Sequence, residues 1–109
     1  MVEKLKKILI IDDERSIRAT LKEILEFEKY LVETAQDGIE GYKMAEEKNF
    51  DLIFCDIKMP KIDGIETLKK IVENNIFSPV IMISGHGDIE TAVQTLKIGA
   101  FDYIEKPLD

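Results

Sequence analysis

The sequence holds one cysteine, one histidine and no long apolar run. Each scarcity excludes something. A single cysteine, Cys55, forms no internal disulfide, which agrees with a reducing compartment. One cysteine and one histidine make a poor zinc ligand set. Cys55 also precedes Asp56, which points it to the opposite face of a strand. No stretch approaches the roughly 20 apolar residues of a membrane-spanning helix. The opening MVEKLKKILIIDD enters an apolar strand almost directly and has no secretory signal. A cytosolic location and no membrane partner are the expectation. Basic charge is also short, with 15 Lys plus Arg against 22 Asp plus Glu and a net charge of −7. Gripping nucleic acid needs a basic face, so direct nucleic-acid binding is not expected. Internal repeats, low-complexity segments and linkers are missing too, and 109 residues suit a single domain, 1–109, with one core.

What the chain has is alternation. Lys7–Ile11 (KILII) is a continuous apolar run, as in a strand buried on both faces. Ile17, Leu21, Ile24 and Leu25 follow at helical spacing. Leu31–Ala35 is a weaker strand, and Asp51–Cys55 a third one. Between them Asp37-Gly-Ile-Glu40 has capping-box spacing, with Ile39, Tyr42, Met44 and Ala45 continuing a helix. Asp63-Gly-Ile-Glu66 repeats that spacing, and Ile65, Leu68, Ile71 and Val72 form the next apolar stripe. Pro79–Ser84 is a fourth strand, its proline suited to the first position. Asp88 is placed to cap a fourth helix with Ile89, Ala92, Val93 and Leu96 inward, and Gly99 to end it in a left-handed conformation. Ala100–Ile104 is the fifth strand.

Strand and helix repeated four times, then a strand, predicts an α/β fold: an open, doubly wound, five-stranded parallel sheet with helices on both faces. Ligands of such sheets bind beyond the carboxyl ends of the strands. Those ends carry Asp12 and Asp13 after strand one, Asp56 after strand three, Ser84 after strand four and Lys106 after strand five. Two carboxylates about 4 Å apart repel by roughly 4 kcal/mol at an effective dielectric near 20. A hard divalent cation with oxygen ligands offsets that, and Mg2+ suits a site with few protein ligands. A metal, a fixed carboxylate, a hydroxyl and an ammonium together suit phosphoryl transfer, in which a carboxylate is able to act as nucleophile and form an acyl phosphate. The acceptor belongs nearest the centre of the sheet, which favours Asp56.

These residues resemble the receiver domain of two-component response regulators over nearly the whole chain. The matching pieces are I-I-D-D at 10–13, D-I-K-M-P-x-x-D-G from Asp56, the serine ending strand four, and Y-I-E-K-P from Tyr103. The resemblance implies the flavodoxin-like strand order 2-1-3-4-5 and phosphorylation of Asp56 by a sensor histidine kinase. It implies Mg2+ bound by Asp13, Asp56 and the backbone carbonyl of Lys58, with Asp12 holding a metal-bound water. It also implies Lys106 and Ser84 at the phosphoryl group, Ser84 and Tyr103 as a switch pair, and a cis Lys106-Pro107 bond. Lys58 and His86 stand where the family tunes hydrolysis of the acyl phosphate. The stretches S-G-H-G-D-I-E-T-A-V and G-A-F-D-Y-I-E-K-P-L resemble the nitrogen-regulatory, sigma-54-activating subtype. The output, a DNA-binding or ATPase domain, would lie outside this sequence. Members of the family usually end in a fifth helix, which also helps form a dimer surface; this chain stops at Asp109, short of that helix.

Blander readings exist for each residue alone. Asp12 and Asp13 could cap the first helix, Asp56 could start a turn, Ser84 could be a turn residue, Lys106 could be solvated, and Tyr103 could be half-buried sheet. Rival functions are an Mg2+-dependent phosphohydrolase with an Asp nucleophile, a degenerate receiver that binds a partner without phosphate, and a flavodoxin-like cofactor binder. The hydrolases resembling this site place the nucleophile after the first strand with a second Asp two residues on; here position 58 is lysine. A flavodoxin-like binder would need a phosphate-cradling loop where Asp12 and Asp13 stand.

Overall fold

The computed structural model describes residues 4–85 and 87–107. Its elements are β1 (Lys7–Ile11), α1 (Arg15–Phe27), β2 (Leu31–Ala35), α2 (Gly38–Glu47), β3 (Leu52–Asp56), α3 (Gly64–Glu73), β4 (Val80–Ser84), α4 (Ile89–Ile98) and β5 (Asp102–Glu105). The strands form one parallel sheet in the order β2-β1-β3-β4-β5. That is the expected order, and it makes β3 the central strand.

The inner strands β1, β3 and β4 are apolar except at one end, where Lys7, Asp56 and Ser84 stand, because both faces of the sheet are covered. Leu9, Ile53, Cys55 and Met82 point to one side, where they pack with Ala45 of α2, Leu68 and Ile71 of α3 and Ala92 of α4. Ile8, Ile10, Phe54 and Ile83 point to the other, against Leu21 of α1. Cys55 is fully buried in the first cluster, away from the carboxylate of its neighbour Asp56, and burial pushes its thiol pKa up. It is a core residue. No helix among the described residues is long and apolar enough to cross a membrane.

Both capping motifs form. Asp37 accepts from the Glu40 N–H at 2.8 Å, and Asp63 from the Glu66 N–H at 2.9 Å. The Glu40 hydrogen bond, with help from Lys61, holds the Asp37 carboxyl below its ordinary pKa despite partial desolvation. Asp37→Ala is expected to lower stability by about 1 kcal/mol at neutral pH. A carboxyl whose folded pKa is depressed contributes its stability above the unfolded value and loses it as pH falls through the folded one. The difference from wild type in urea midpoint should therefore shrink in acid, and a constant difference would show that the carboxylate is not what caps the helix.

Several boundaries and faces depart from the sequence reading. β3 starts at Leu52, because Asp51 turns its carboxylate back to accept from the Lys7 N–H. β4 starts at Val80 and β5 at Asp102, since Pro79 lacks a donor and Ala100 still bonds to the Thr95 carbonyl of α4. Ile24, Ile39 and Val72 lie on exposed helix flanks rather than inward. The largest correction is α4. Its buried residues are Ala92 and Thr95, whereas Ile89, Val93 and Leu96 are each about 40% exposed. Small side chains bring this helix close to the sheet, and the Thr95 hydroxyl is satisfied by the Ala92 carbonyl. Gly99 does end the helix at positive φ, 144°, with ψ 6°. That lies outside the left-handed helical well, in a region that disfavours side chains.

Candidate functional site

The carboxyl ends of β1, β3, β4 and β5 converge, and each strand delivers its residue for a local reason. Asp12 extends β1 by one ladder bond, its N–H donating to the Ala35 carbonyl at 3.1 Å. It is fully buried, and its Oδ1 accepts from the Glu14 N–H at 2.8 Å, while the Arg18 guanidinium donates to its backbone carbonyl at 2.7 Å. Asp12 therefore braces the β1–α1 turn instead of capping α1, whose N-cap is Glu14. Asp13 is exposed beside it. Asp56 is the last residue of the central strand and only 3% exposed. Carboxylate oxygens of Asp12, Asp13 and Asp56 all lie within 4.8 Å of one another.

Among the described residues, one ammonium serves this cluster. The Lys106 N–H donates to the Ser84 carbonyl at 2.9 Å, which extends the β4–β5 ladder and fixes the start of the side chain. Its Nζ lies 3.7 Å from Asp56, 3.6 Å from Asp12 and 2.7 Å from Glu14. The Lys106-Pro107 peptide is cis, as the resemblance implies.

Burial and crowding dominate the electrostatics. Burial, then the Asp12 charge, raises the Asp56 carboxyl to about 7 against the pull of Lys106. Burial likewise raises Asp12, opposed by its hydrogen bond from Glu14 and by Lys106. Burial acts to lower Lys106, but its bond to Glu14 and the charges of Asp56 and Asp12 outweigh that and hold the ammonium above its ordinary range. Asp12 Oδ2 and Ser84 Oγ are buried with no hydrogen-bond partner among the described residues. Buried oxygens without partners are rare in folded proteins and mark places where a ligand or ion belongs.

The other expected residues fall into place unevenly. Ser84 is fully buried at the end of β4. Tyr103 stands opposite Met82, one pleat back from the Ser84–Glu105 pair, half-buried against the core. The two thus share a face of the sheet. The Lys58 side chain is exposed and turns away from the acids to pair with Asp88 at 3.0 Å. Asp88 makes no side-chain cap on α4, its backbone standing at φ −104°, ψ 19° rather than in the extended conformation of an N-cap. His86 lies outside the described residues.

Sequence reasoning passes over Glu14 and Arg18, and gives Asp88 a different role. Glu14 carried a visible signal, a third consecutive acid after β1 at an N-cap position for which its side chain is too long. Asp88 was read as a cap, and only the fold brings it to Lys58.

Comparison with known proteins agrees with this geometry. Residues 8–109 match the family described as the response regulator receiver domain. The chain is 43% identical over 102 residues to the transcriptional regulatory protein ZraR of Klebsiella oxytoca, covering 94% of this chain and 23% of that protein. It is 42% identical over 102 residues to the alkaline phosphatase synthesis transcriptional regulatory protein PhoP of Bacillus subtilis, covering 94% and 42% respectively. The chain thus spans less than half the length of these relatives. Among solved structures, a response regulator receiver domain protein from Clostridium thermocellum superposes with a TM-score of 0.90 at 38% identity, covering 96% of this chain and 85% of that one. The receiver domain of NtrX from Brucella abortus gives 0.89 at 39% identity, covering 94% and 87%. The fold, the converging acids and these matches have one reading: the chain belongs to the response regulator receiver domain family, a signalling module of two-component systems and not a metabolic enzyme.

Proposed function

We propose that this chain accepts a phosphoryl group on Asp56 from a sensor histidine kinase and relays it as a change of conformation to an output segment that controls transcription. The observation that carries the reading is Asp56 itself: a buried carboxylate at the end of the central strand, with Lys106 3.7 Å away and two further acids beside it.

The donor set fits Mg2+. It is all oxygen, it is crowded, and it leaves Asp12 Oδ2 without a partner. Asp13, Asp56 and the backbone carbonyl of Lys58 would hold the ion directly, and Asp12 would hold one of its waters. When bound, Mg2+ offsets the repulsion among the carboxylates and the negative charge of the transferring group.

An Asp56 oxygen attacks the phosphorus of the phosphohistidine, the P–N bond breaks, and the imidazole leaves with its electron pair. The product is an acyl phosphate on Asp56. The Lys106 ammonium pairs with one phosphoryl oxygen, and the Ser84 hydroxyl donates to another. Water later cleaves the acyl phosphate, releasing inorganic phosphate and restoring the carboxylate. The chain turns over no metabolite. Once phosphorylated, Asp56 carries about −1.5 to −2 charge and three new acceptor oxygens. Ser84 moves toward them, Tyr103 takes the space left, and the surface of α4 and β5 changes. The two states exist beforehand, and phosphorylation shifts their populations. The sigma-54-activating subtype, a dimer and a cytoplasmic location are coherent with this reading.

Incubation with acetyl phosphate and Mg2+ should add one phosphoryl group to the intact mass of the wild type and none to Asp56→Asn. Adduct retained in Asp56→Asn would overturn the assignment. No adduct in the wild type would favour a phosphate-independent module, and turnover of small phosphate esters would favour a hydrolase. Amide shifts in α4 on addition of beryllofluoride and Mg2+ test the switch, and unchanged shifts there would count against it.

A further inference from the structure

Lys106 is shared by three carboxylates, and the nearest is not the phosphoacceptor. Its Nζ is 2.7 Å from Glu14 Oε1, against 3.6 Å from Asp12 and 3.7 Å from Asp56. Glu14 sits in extended backbone at the N-cap of α1 and makes no side-chain cap bond, so its carboxylate is free to reach across to the end of β5. Its backbone is held in place, the N–H donating to Asp12 Oδ1 at 2.8 Å. The bond also accounts for an oddity at the centre of the site. With the ammonium drawn to Glu14, Asp12 Oδ2 is left buried without a hydrogen bond among the described residues.

We propose that Glu14 is a positioning residue that holds the Lys106 ammonium nearer to itself than to Asp56 in the unphosphorylated chain, so that the incoming phosphoryl group must draw the lysine from it. The inference rests on reading Asp56 as the phosphoacceptor. Glu14 then sets how readily the phosphorylated geometry forms: its contact with Lys106 stabilises the resting state and is absent from the phosphorylated one. Its side chain is 54% exposed, which keeps the effect modest.

The test is the dissociation constant for beryllofluoride with Mg2+, followed by NMR, in wild type and four variants: Glu14→Gln, Glu14→Asp, Lys106→Met and the double variant of Glu14→Gln with Lys106→Met. Glu14→Gln should bind about threefold tighter than wild type. Glu14→Asp keeps the charge but is one methylene too short to reach Lys106, and it should shift in the same direction. In a Lys106→Met background, Glu14→Gln should change nothing, because the lysine through which Glu14 acts is gone. If Glu14→Asp matches wild type, the effect is one of net charge, and the positioning contact is refuted. Equal affinity of Glu14→Gln and wild type also refutes it, as does an undiminished effect without Lys106. If wild type takes neither beryllofluoride nor a phosphoryl group, the assignment of Asp56 falls first. A wild-type urea midpoint for Glu14→Gln, and one no lower than wild type for Glu14→Asp, whose aspartate is a favoured N-cap, would show that both variants are folded.

Discussion

Asp56→Asn is expected to stabilise the metal-free protein above neutral pH, by on the order of 3 kcal/mol. The wild-type site packs three carboxylates within 4.8 Å of one another against one lysine, and two of the three acids are buried. Burial and the Asp12 charge lift the Asp56 carboxyl to about 7. Unfolded, an aspartate titrates near 4. The folded chain therefore binds more protons than the unfolded chain between these values. Stability from this carboxyl is full below about pH 4 and is lost as pH rises through about 7. Asparagine carries no charge to bury and lacks that slope. Urea unfolding with a chelator near pH 5 and above about pH 8 checks the sign: the gap between variant and wild type should open as pH rises. Equal stabilities at the higher pH, or a gap that ignores pH, would contradict it. Added Mg2+ should reverse the order, because an ion that binds only the folded wild-type site stabilises it by mass action. The same charge that is a liability in the resting fold is, in the proposed function, the nucleophile that accepts the phosphoryl group.

Gly64→Ala should be the most damaging small substitution near the site. A Cβ on Gly64 would lie 2.1 Å from the Asp56 carbonyl oxygen and 2.7 Å from the Ile57 Cα. Both neighbours are backbone, so no rotamer change relieves the clash. The Gly64 N–H donates to the Ile57 carbonyl at 2.7 Å, which ties the start of α3 to the end of β3. An added methyl must force these apart. The expected loss is about 3 kcal/mol, at the upper end for overpacking. The loop from Ile57 to Asp63 carries the Lys58 carbonyl and leads out from Asp56. A displacement of about 1 Å there should slow labelling by acetyl phosphate by roughly 100-fold, even in the fraction that stays folded. Urea midpoint and labelling rate measured together test both parts. A variant with wild-type stability would mean that the loop yields without effort and that the close approach is incidental.

Much of this was legible beforehand. Continuous apolar runs of four residues at Ile8–Ile11, Leu52–Cys55 and Val80–Ile83, separated by helical spacing and capping boxes, report parallel strands and crossovers directly, because periodicity and caps are local properties. Parallel strands all end on one side, so the acids, the serine and the lysine at their ends had to converge. Legibility failed where two elements had to be weighed against each other. Val93 and Leu96 are as apolar as any core residue, yet α4 buries Ala92 and Thr95. Helical spacing identifies an apolar stripe but not how closely the sheet will let the helix approach. Asp88 has the right type for a cap, yet its carboxylate goes to Lys58. The glycine of Asp63-Gly64 read as a helix start, and its closeness to the Asp56 carbonyl was invisible in the string.

The sequence by itself determined the alternating fold, the position of Asp56 at the end of a buried strand, and the set of groups available to meet it. These follow from local pattern and from the common direction of the strands. Only the tertiary structure decided how that set is shared. Lys106 lies nearer to Glu14 than to Asp56, and Gly64 is wedged against the Asp56 carbonyl. Such contacts join residues distant in the chain at separations set by how the strand ends, turns and helix starts pack, and no spacing along the sequence encodes a distance across the fold.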